Sequence, residues 1–103
     1  MATTPAFEVA GGLPDQGPRA VVKYGCGGCH TIAGIRSARG KVGPELTTMS
    51  ERAYIAGNLP TTPENLVLWI MDPQGVEPGT AMPDLRVSEA DARSIAAYLY
   101  GLR

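Results

Sequence analysis

Cys26, Cys29 and His30 are the residues of this chain best suited to holding a reactive group, and they stand together in Cys26-Gly27-Gly28-Cys29-His30. Two thiols three positions apart lie on one face of a single helical turn, with the imidazole carried just beyond them. Several chemistries use such residues. A structural zinc site takes four ligands from Cys and His, but the chain has only two Cys and one His, so carboxylates would have to complete the set. A thioredoxin-like redox pair sits beside a βαβ pattern, and no stretch here alternates like a strand. A disulfide between Cys26 and Cys29 is chemically allowed but leaves His30 without a role. C-x-x-C-H spacing fits covalent attachment of a c-type haem. Both thiols then reach the two vinyl groups on one side of the porphyrin, and His30 comes under the ring to bind iron. Gly27 and Gly28 place no side chain between backbone and macrocycle.

A second axial ligand to that iron has to come from elsewhere, because no second His exists. A Met thioether is the obvious donor and raises the reduction potential. Of the four Met, Met1 is terminal, and Met71 lies in an apolar helical stretch where Met usually fills core space. Met82 stands in the loop Pro78-Gly79-Thr80-Ala81-Met82-Pro83-Asp84, which has too few apolar anchors to fold alone and needs something to lie against. Pro83 stiffens one side and Gly79 permits an unusual turn on the other. Met82 is the expected distal ligand, with Met49 as the fallback.

The elements that must position these groups are helical. A first helix is expected from about Gly17 to Tyr24, with Asp15 as its cap, Pro18 in its first turn, and Val21 and Val22 on its buried side. Gly25 ends it and the thiol motif follows. Residues 31–48 read as loop, punctuated by Gly34, Gly40, Gly43 and Pro44. A short helix is expected over about 50–56. The next spans about Pro63 to Met71, capped by Thr61 with Glu64 or by Thr62 before Pro63. It is apolar nearly all round, as a helix packed on several sides would be, and Asp72-Pro73 stops it. The last helix starts at Ser88 with Asp91 as capping partner. Ile95, Tyr98, Leu99 and Leu102 form its apolar face, and Glu89, Asp91 and Arg93 its wet side. The fold class is all-α, with residues 1–14 a flexible lead-in or tether and 15–103 the folded domain.

Composition agrees. A chain of 103 residues is one domain that buries only roughly 60–65% of its unfolded surface, so a large apolar cofactor would supply much of the core. No apolar run approaches the ~18 residues of a membrane span. Nine basic against ten acidic residues speak against nucleic acid as a partner. Arg36, Arg39 and Lys41 cluster with no acid between Thr31 and Pro44, which reads as a solvated loop or as a positive rim for an acidic redox partner.

From Asp15 to Arg103 the chain resembles the class I c-type cytochromes. The motifs Cys26-Gly27-Gly28-Cys29-His30, Val42-Gly43-Pro44 and Pro78-Gly79-Thr80-Ala81-Met82-Pro83 occur in that family's order, followed by a terminal helix with Ala97-Tyr98-Leu99. The stretch from Arg52 to Gln74 looks most like the haem-c domains of bacterial haem–copper oxidases and related small cytochromes. The resemblance implies a fold of about four helices around one haem, the first and last crossing where Gly17 or Ala20 meets Tyr98, with Pro18 a departure from the pattern. It implies that the Pro44 carbonyl accepts a hydrogen bond from His30. Trp69 and Thr80 would donate to a haem propionate, Trp69 being equally readable as core packing, and Arg52 and Tyr54 are further propionate candidates.

The expected function is one-electron transfer through a low-spin His/Met haem c. A respiratory oxidase and its electron donor are the partners the resemblance suggests, and a monomer is expected. Haem is attached outside the cytoplasm in such proteins, so the expected location is the bacterial periplasm or the outer face of the cytoplasmic membrane. Residues 1–13 show no export signal, so a signal or membrane tether is expected outside this chain. The alternative is a gas- or peroxide-binding haem with a displaceable Met. It lacks a distal acid/base, because the only His already serves as a ligand, and no enzymatic activity is expected.

Overall fold

The computed structural model describes residues 9–28, 30–41, 46, 54–55 and 59–101. Among them run the helices α1 (Gly17–Tyr24), α2 (Pro63–Met71), α3 (Pro73–Val76) and α4 (Glu89–Gly101), with 3-10 turns at Pro14–Gln16 and Cys26–Gly28. No strand occurs among the described residues, only the isolated antiparallel bridges Thr31–Arg39 and Tyr54–Pro60. The protein is all-α, as its sequence implies. The expected helix over 50–56 lies largely outside the described residues.

Local chemistry sets the helix ends. Gly25 closes α1 in the left-handed conformation (φ 75°), its N–H bonded to the carbonyls of Val21 and Val22, the conformation glycine adopts without steric cost. Asp15 does not cap α1. It lies in the preceding 3-10 turn, and Gln16 at the N-cap offers no side-chain bond. Of the two caps open for α2, Thr62 is used, its Oγ1 accepting from Asn65 N at 3.1 Å. Ser88 caps α4 by accepting from Asp91 N at 3.1 Å.

Helix α4 is the centre of the packing, with Ala92, Ile95, Ala96, Ala97, Leu99 and Tyr100 all buried. Helix α1 buries Gly17, Ala20 and Val21 against it, a stripe one helical turn apart. Val22 does not share that stripe: it is 60% exposed where Val21 is 1%, because adjacent helix positions point about 100° apart. A Cβ on Gly17 would overlap the Cβ of Tyr98, so the contact expected between α1 and α4 is made at Gly17. Helix α2 contributes Leu66, Val67 and Ile70 to the same core, while Leu68 faces solvent.

Two findings depart from the expected wet side of α4. Arg93 is a junction: its guanidinium meets Glu64 at 2.8 Å and Glu89 at 2.9 Å and donates to the Ala10 carbonyl at 2.9 Å. Residues 9–13 dock there. Val9 is buried, Leu13 N donates to Ser94 Oγ at 3.2 Å, and a Cβ on Gly12 would overlap the Arg93 backbone. The packed chain therefore includes residues 9–13, which composition placed in the lead-in, because Gly-rich, aperiodic sequence does not reveal a strap lying on a helix.

Asp91 is the second junction. It accepts from Tyr24 Oη at 2.7 Å and from Lys23 Nζ at 3.2 Å, joining α1 to α4. The Tyr24 hydroxyl, with help from Lys23, holds its carboxyl below the usual range. A lowered folded-state pKa contributes stability above the ordinary carboxylate pKa, lost as pH falls through the lowered value. The melting-temperature advantage of the protein over its Asp91→Asn variant should therefore be present at pH 7 and shrink as the solution is acidified below about pH 4. Paired thermal melts across that range measure it, and a gap independent of pH would exclude the ionic contribution.

Candidate functional site

The thiol–imidazole motif forms one closed turn. After Gly25 the backbone continues as the 3-10 turn Cys26–Gly28, with Gly28 N bonded to Gly25 O at 3.0 Å. His30 N then donates to Cys26 O at 3.1 Å. This places the Cys26 and His30 backbones one helical turn apart, both side chains half-buried, with Cys26 packed against the core. Cys29 lies outside the described residues.

The turn rests on an ordered loop. Gly40 N donates to Gly27 O at 2.9 Å, Thr31 Oγ1 to Gly40 O at 3.0 Å, and Ile32 N to Ala38 O at 3.2 Å. Ile32, Ile35 and Ala38 are buried. Tyr98 Oη on α4 donates to Ala33 O at 2.7 Å and ties the loop to the helix core. The two glycines of the motif separate here. A Cβ on Gly27 would come within 2.6 Å of Ala38 Cα, whereas one on Gly28 would meet nothing within 4 Å. Gly27 thus serves the close approach of the supporting loop, a reason distinct from clearance for a macrocycle. Gly28 has open space beside it.

Met82 is held by a device the sequence did not advertise. Helix α2 ends at Asp72, whose side chain accepts from Gly75 N at 3.0 Å and starts the single turn of α3. From that turn Gln74 reaches the Met82 loop. Its Nε2 donates to the carbonyls of Thr80 (2.8 Å) and Met82 (3.0 Å), and its Oε1 accepts from Gly79 N (3.1 Å). Thr80 Oγ1 accepts from Met82 N at 3.4 Å. Part of the loop's support therefore comes from within the chain, from the Gln74 amide. Gln74 was missed because a lone exposed amide has no periodicity. The only signal was an amide one turn before a Gly/Pro loop.

Of the other expected site residues, Trp69 is half-buried against the core shared by Cys26 and Met71. Thr80 is half-buried, and its oxygen is the acceptor just described. Tyr54 is exposed. Pro44, Arg52 and Met49 lie outside the described residues. Arg36, Arg39 and Lys41 are exposed, and Arg39 Nε donates to the Arg36 carbonyl at 3.1 Å.

The residues present fit a haem. Two thiols for the vinyl groups, an imidazole and a thioether for the iron are the groups that covalent haem and its two axial positions require. Cys26, Cys29, His30 and Met82 supply them. Two buried hydroxyls, Thr61 Oγ1 and Tyr100 Oη, have no hydrogen-bond partner among the described residues. Buried hydroxyls ordinarily have one, and burial pushes the Tyr100 pKa up, which keeps that hydroxyl protonated and able to donate.

An all-helical domain joining its first and last helices beside a C-x-x-C-H turn, with a Met-bearing loop before the last helix, defines a class I c-type cytochrome. The chain belongs to the cytochrome c family, whose model matches residues 15–103. That family carries electrons by way of haem iron. The chain is similar to cytochrome c oxidase subunit 2 of Alkalihalophilus pseudofirmus, 39% identical over 92 residues that cover 88% of this chain and 26% of the relative. It is also similar to the proteins of the same name from Bacillus subtilis (28% identical; 88% of this chain, 27% of the relative) and Bacillus sp. strain PS3 (32% identical; 82% and 25%). The chain thus spans about a quarter of the length of these relatives. Among the described residues no helix is long and apolar enough to cross a membrane.

Proposed function

We propose that this domain is a one-electron carrier in which Cys26 and Cys29 hold haem c by thioethers, His30 is the proximal ligand and Met82 the distal one. Bound haem iron supplies the chemistry, a single-electron change between ferric and ferrous states. The observation that carries the reading is the closed Cys26–His30 turn, whose His30 N to Cys26 O bond of 3.1 Å fixes the thiol and imidazole positions to one unit of backbone.

The other residues orient and exclude. The supporting loop from Thr31 to Gly40 keeps the turn against the core. The Pro44 carbonyl would accept from the non-ligating nitrogen of His30 and fix its tautomer, as in other histidine metal sites. Arg52, Trp69 and Thr80 would donate to the propionates of a bound haem, and the Gln74-held loop would present Met82. With His30 committed as a ligand, no spare histidine remains for acid/base work, which favours a carrier over an enzyme. The relatives' names support a carrier that works beside a haem–copper oxidase, taking electrons from a donor protein and passing them to the oxidase. The domain would then work as a monomeric unit on the outer face of the bacterial membrane or in the periplasm.

The protein should be expressed in a host that attaches haem during export. Its mass is expected to exceed that of the chain by one haem that stays attached on denaturation, and its spectrum to sharpen on uptake of one electron. Cys26→Ser should lose one thioether. A folded, colourless product overturns the reading, and rapid carbon monoxide binding by the reduced protein would favour a gas-binding domain instead.

A further inference from the structure

We propose that Gln74 is the positioning residue for Met82, a side-chain clamp that sets how readily the distal position opens to an external ligand. The proposal rests on the reading of Met82 as the axial ligand. Its own support is the set of three hydrogen bonds at 2.8, 3.0 and 3.1 Å that one amide makes to Thr80, Met82 and Gly79.

The chemistry of the contact selects glutamine. Two carbonyl oxygens face the side chain and need donors, while the Gly79 N–H needs an acceptor. Glutamate can accept but not donate, and lysine can donate but not accept. Asparagine has both functions on a side chain one methylene shorter. The clamp also has a firm base, because Pro73 beside it is fully buried and the Asp72 carboxylate fixes the start of the same turn. Met82 is consequently held on both sides of its Cα, its carbonyl by Gln74 and its N–H by Thr80 Oγ1. The Gly79 amide, at the positive-φ position (86°) where the loop turns, is held by Gln74 as well.

An external ligand can bind the iron only while Met82 is swung away. Its apparent affinity is therefore the intrinsic affinity scaled by the population of the open loop. The Gln74 bonds exist only in the closed loop. They are solvent-exposed and individually modest, yet losing all three together should raise the open population on the order of tenfold.

Imidazole is the probe. Oxidised, haem-loaded protein is titrated with imidazole by absorbance, alongside Gln74→Leu, Gln74→Glu and Met82→Ala. Amide hydrogen exchange at Gly79 is followed in the same samples. Gln74→Leu should bind imidazole about tenfold more tightly than the parent and Gln74→Glu, which keeps the bond from Gly79 N–H, roughly fivefold more tightly, and Gly79 should lose protection in Gln74→Leu. Gln74→Glu, almost the same shape, keeps the test available should Gln74→Leu fold poorly. Affinities within about twofold of the parent for both Gln74 variants, with Met82→Ala binding much more tightly, overturn the clamp and leave the ligand assignment standing. Unchanged affinity in Met82→Ala overturns the ligand assignment and the clamp with it. A role confined to stability would lower the melting temperature and leave the imidazole affinity where it was, which also overturns the proposal.

Discussion

Replacing Met82 with alanine is expected to lower the reduction potential by on the order of 0.1–0.2 V, since axial ligands tune haem potentials across roughly 0.8 V, and to let carbon monoxide bind the reduced protein. The sign follows from the donor. A thioether raises the potential, and alanine leaves either water or an empty position in its place. The loop itself should survive, because the bonds that hold it run through backbone atoms: the Met82 carbonyl to Gln74, the Met82 N–H to Thr80 Oγ1, and the Gly79 N–H to Gln74. Truncating the side chain at Cβ removes none of them, so the variant tests ligation with little disturbance of the fold. Redox titration and carbon monoxide difference spectra are the measurements. A potential unchanged from the parent, with no carbon monoxide binding, would exclude Met82 as the ligand and direct attention to Met49.

Much of this protein is legible in its sequence wherever the determining chemistry is local. Gly25 after Tyr24 and Pro63 after Thr62 mark helix ends because a left-handed glycine and a proline in the first turn act through their own backbone. The Cys26–His30 unit is legible for the same reason, five consecutive residues carrying both ligand types and spacing. What escaped depends on distance. Arg93 sits among charged residues and looks solvated, yet it gathers Glu64, Glu89 and the Ala10 carbonyl from three parts of the chain. Gln74 escaped because its partners are backbone atoms, which carry no residue identity to pattern against. Val21 and Val22 are equivalent by type, and only the direction of α4 decides which is buried. The motif glycines show the limit from the other side. Clearance for a haem accounts for both in sequence terms, but Gly27 is also needed by Ala38, a neighbour eleven positions along, and composition cannot show that.

The meeting of α1 and α4 carries the largest expected effect on stability. Gly17→Ala should destabilise the protein by about 2–3 kcal/mol, within the usual range for forcing extra atoms into a well-packed contact. For a domain of this size that is roughly 10–20 °C in melting temperature. A methyl group at Gly17 would overlap Tyr98 Cβ and lie 2.9 Å from the Ser94 carbonyl, and neither neighbour can retreat cheaply. Tyr98 is held at its far end by the Ala33 carbonyl, and Ser94 is buried within α4 with its hydroxyl bonded to Leu13 N. Moving Tyr98 would also release the loop that supports the His30 turn, so the yield of haem-loaded protein should fall with the melting temperature. Gly101→Ala supplies the contrast within the same helix pair. A Cβ there meets nothing within 4 Å, so the ordinary preference of helices for alanine over glycine applies, about 0.5–1 kcal/mol in a helix interior and less near an end. One chemical change should therefore have opposite signs at the two sites, decided by available space. Thermal melts of both variants test it, and a Gly17→Ala protein that melts with the parent would show that α1 and α4 do not meet as closely as Gly17 permits.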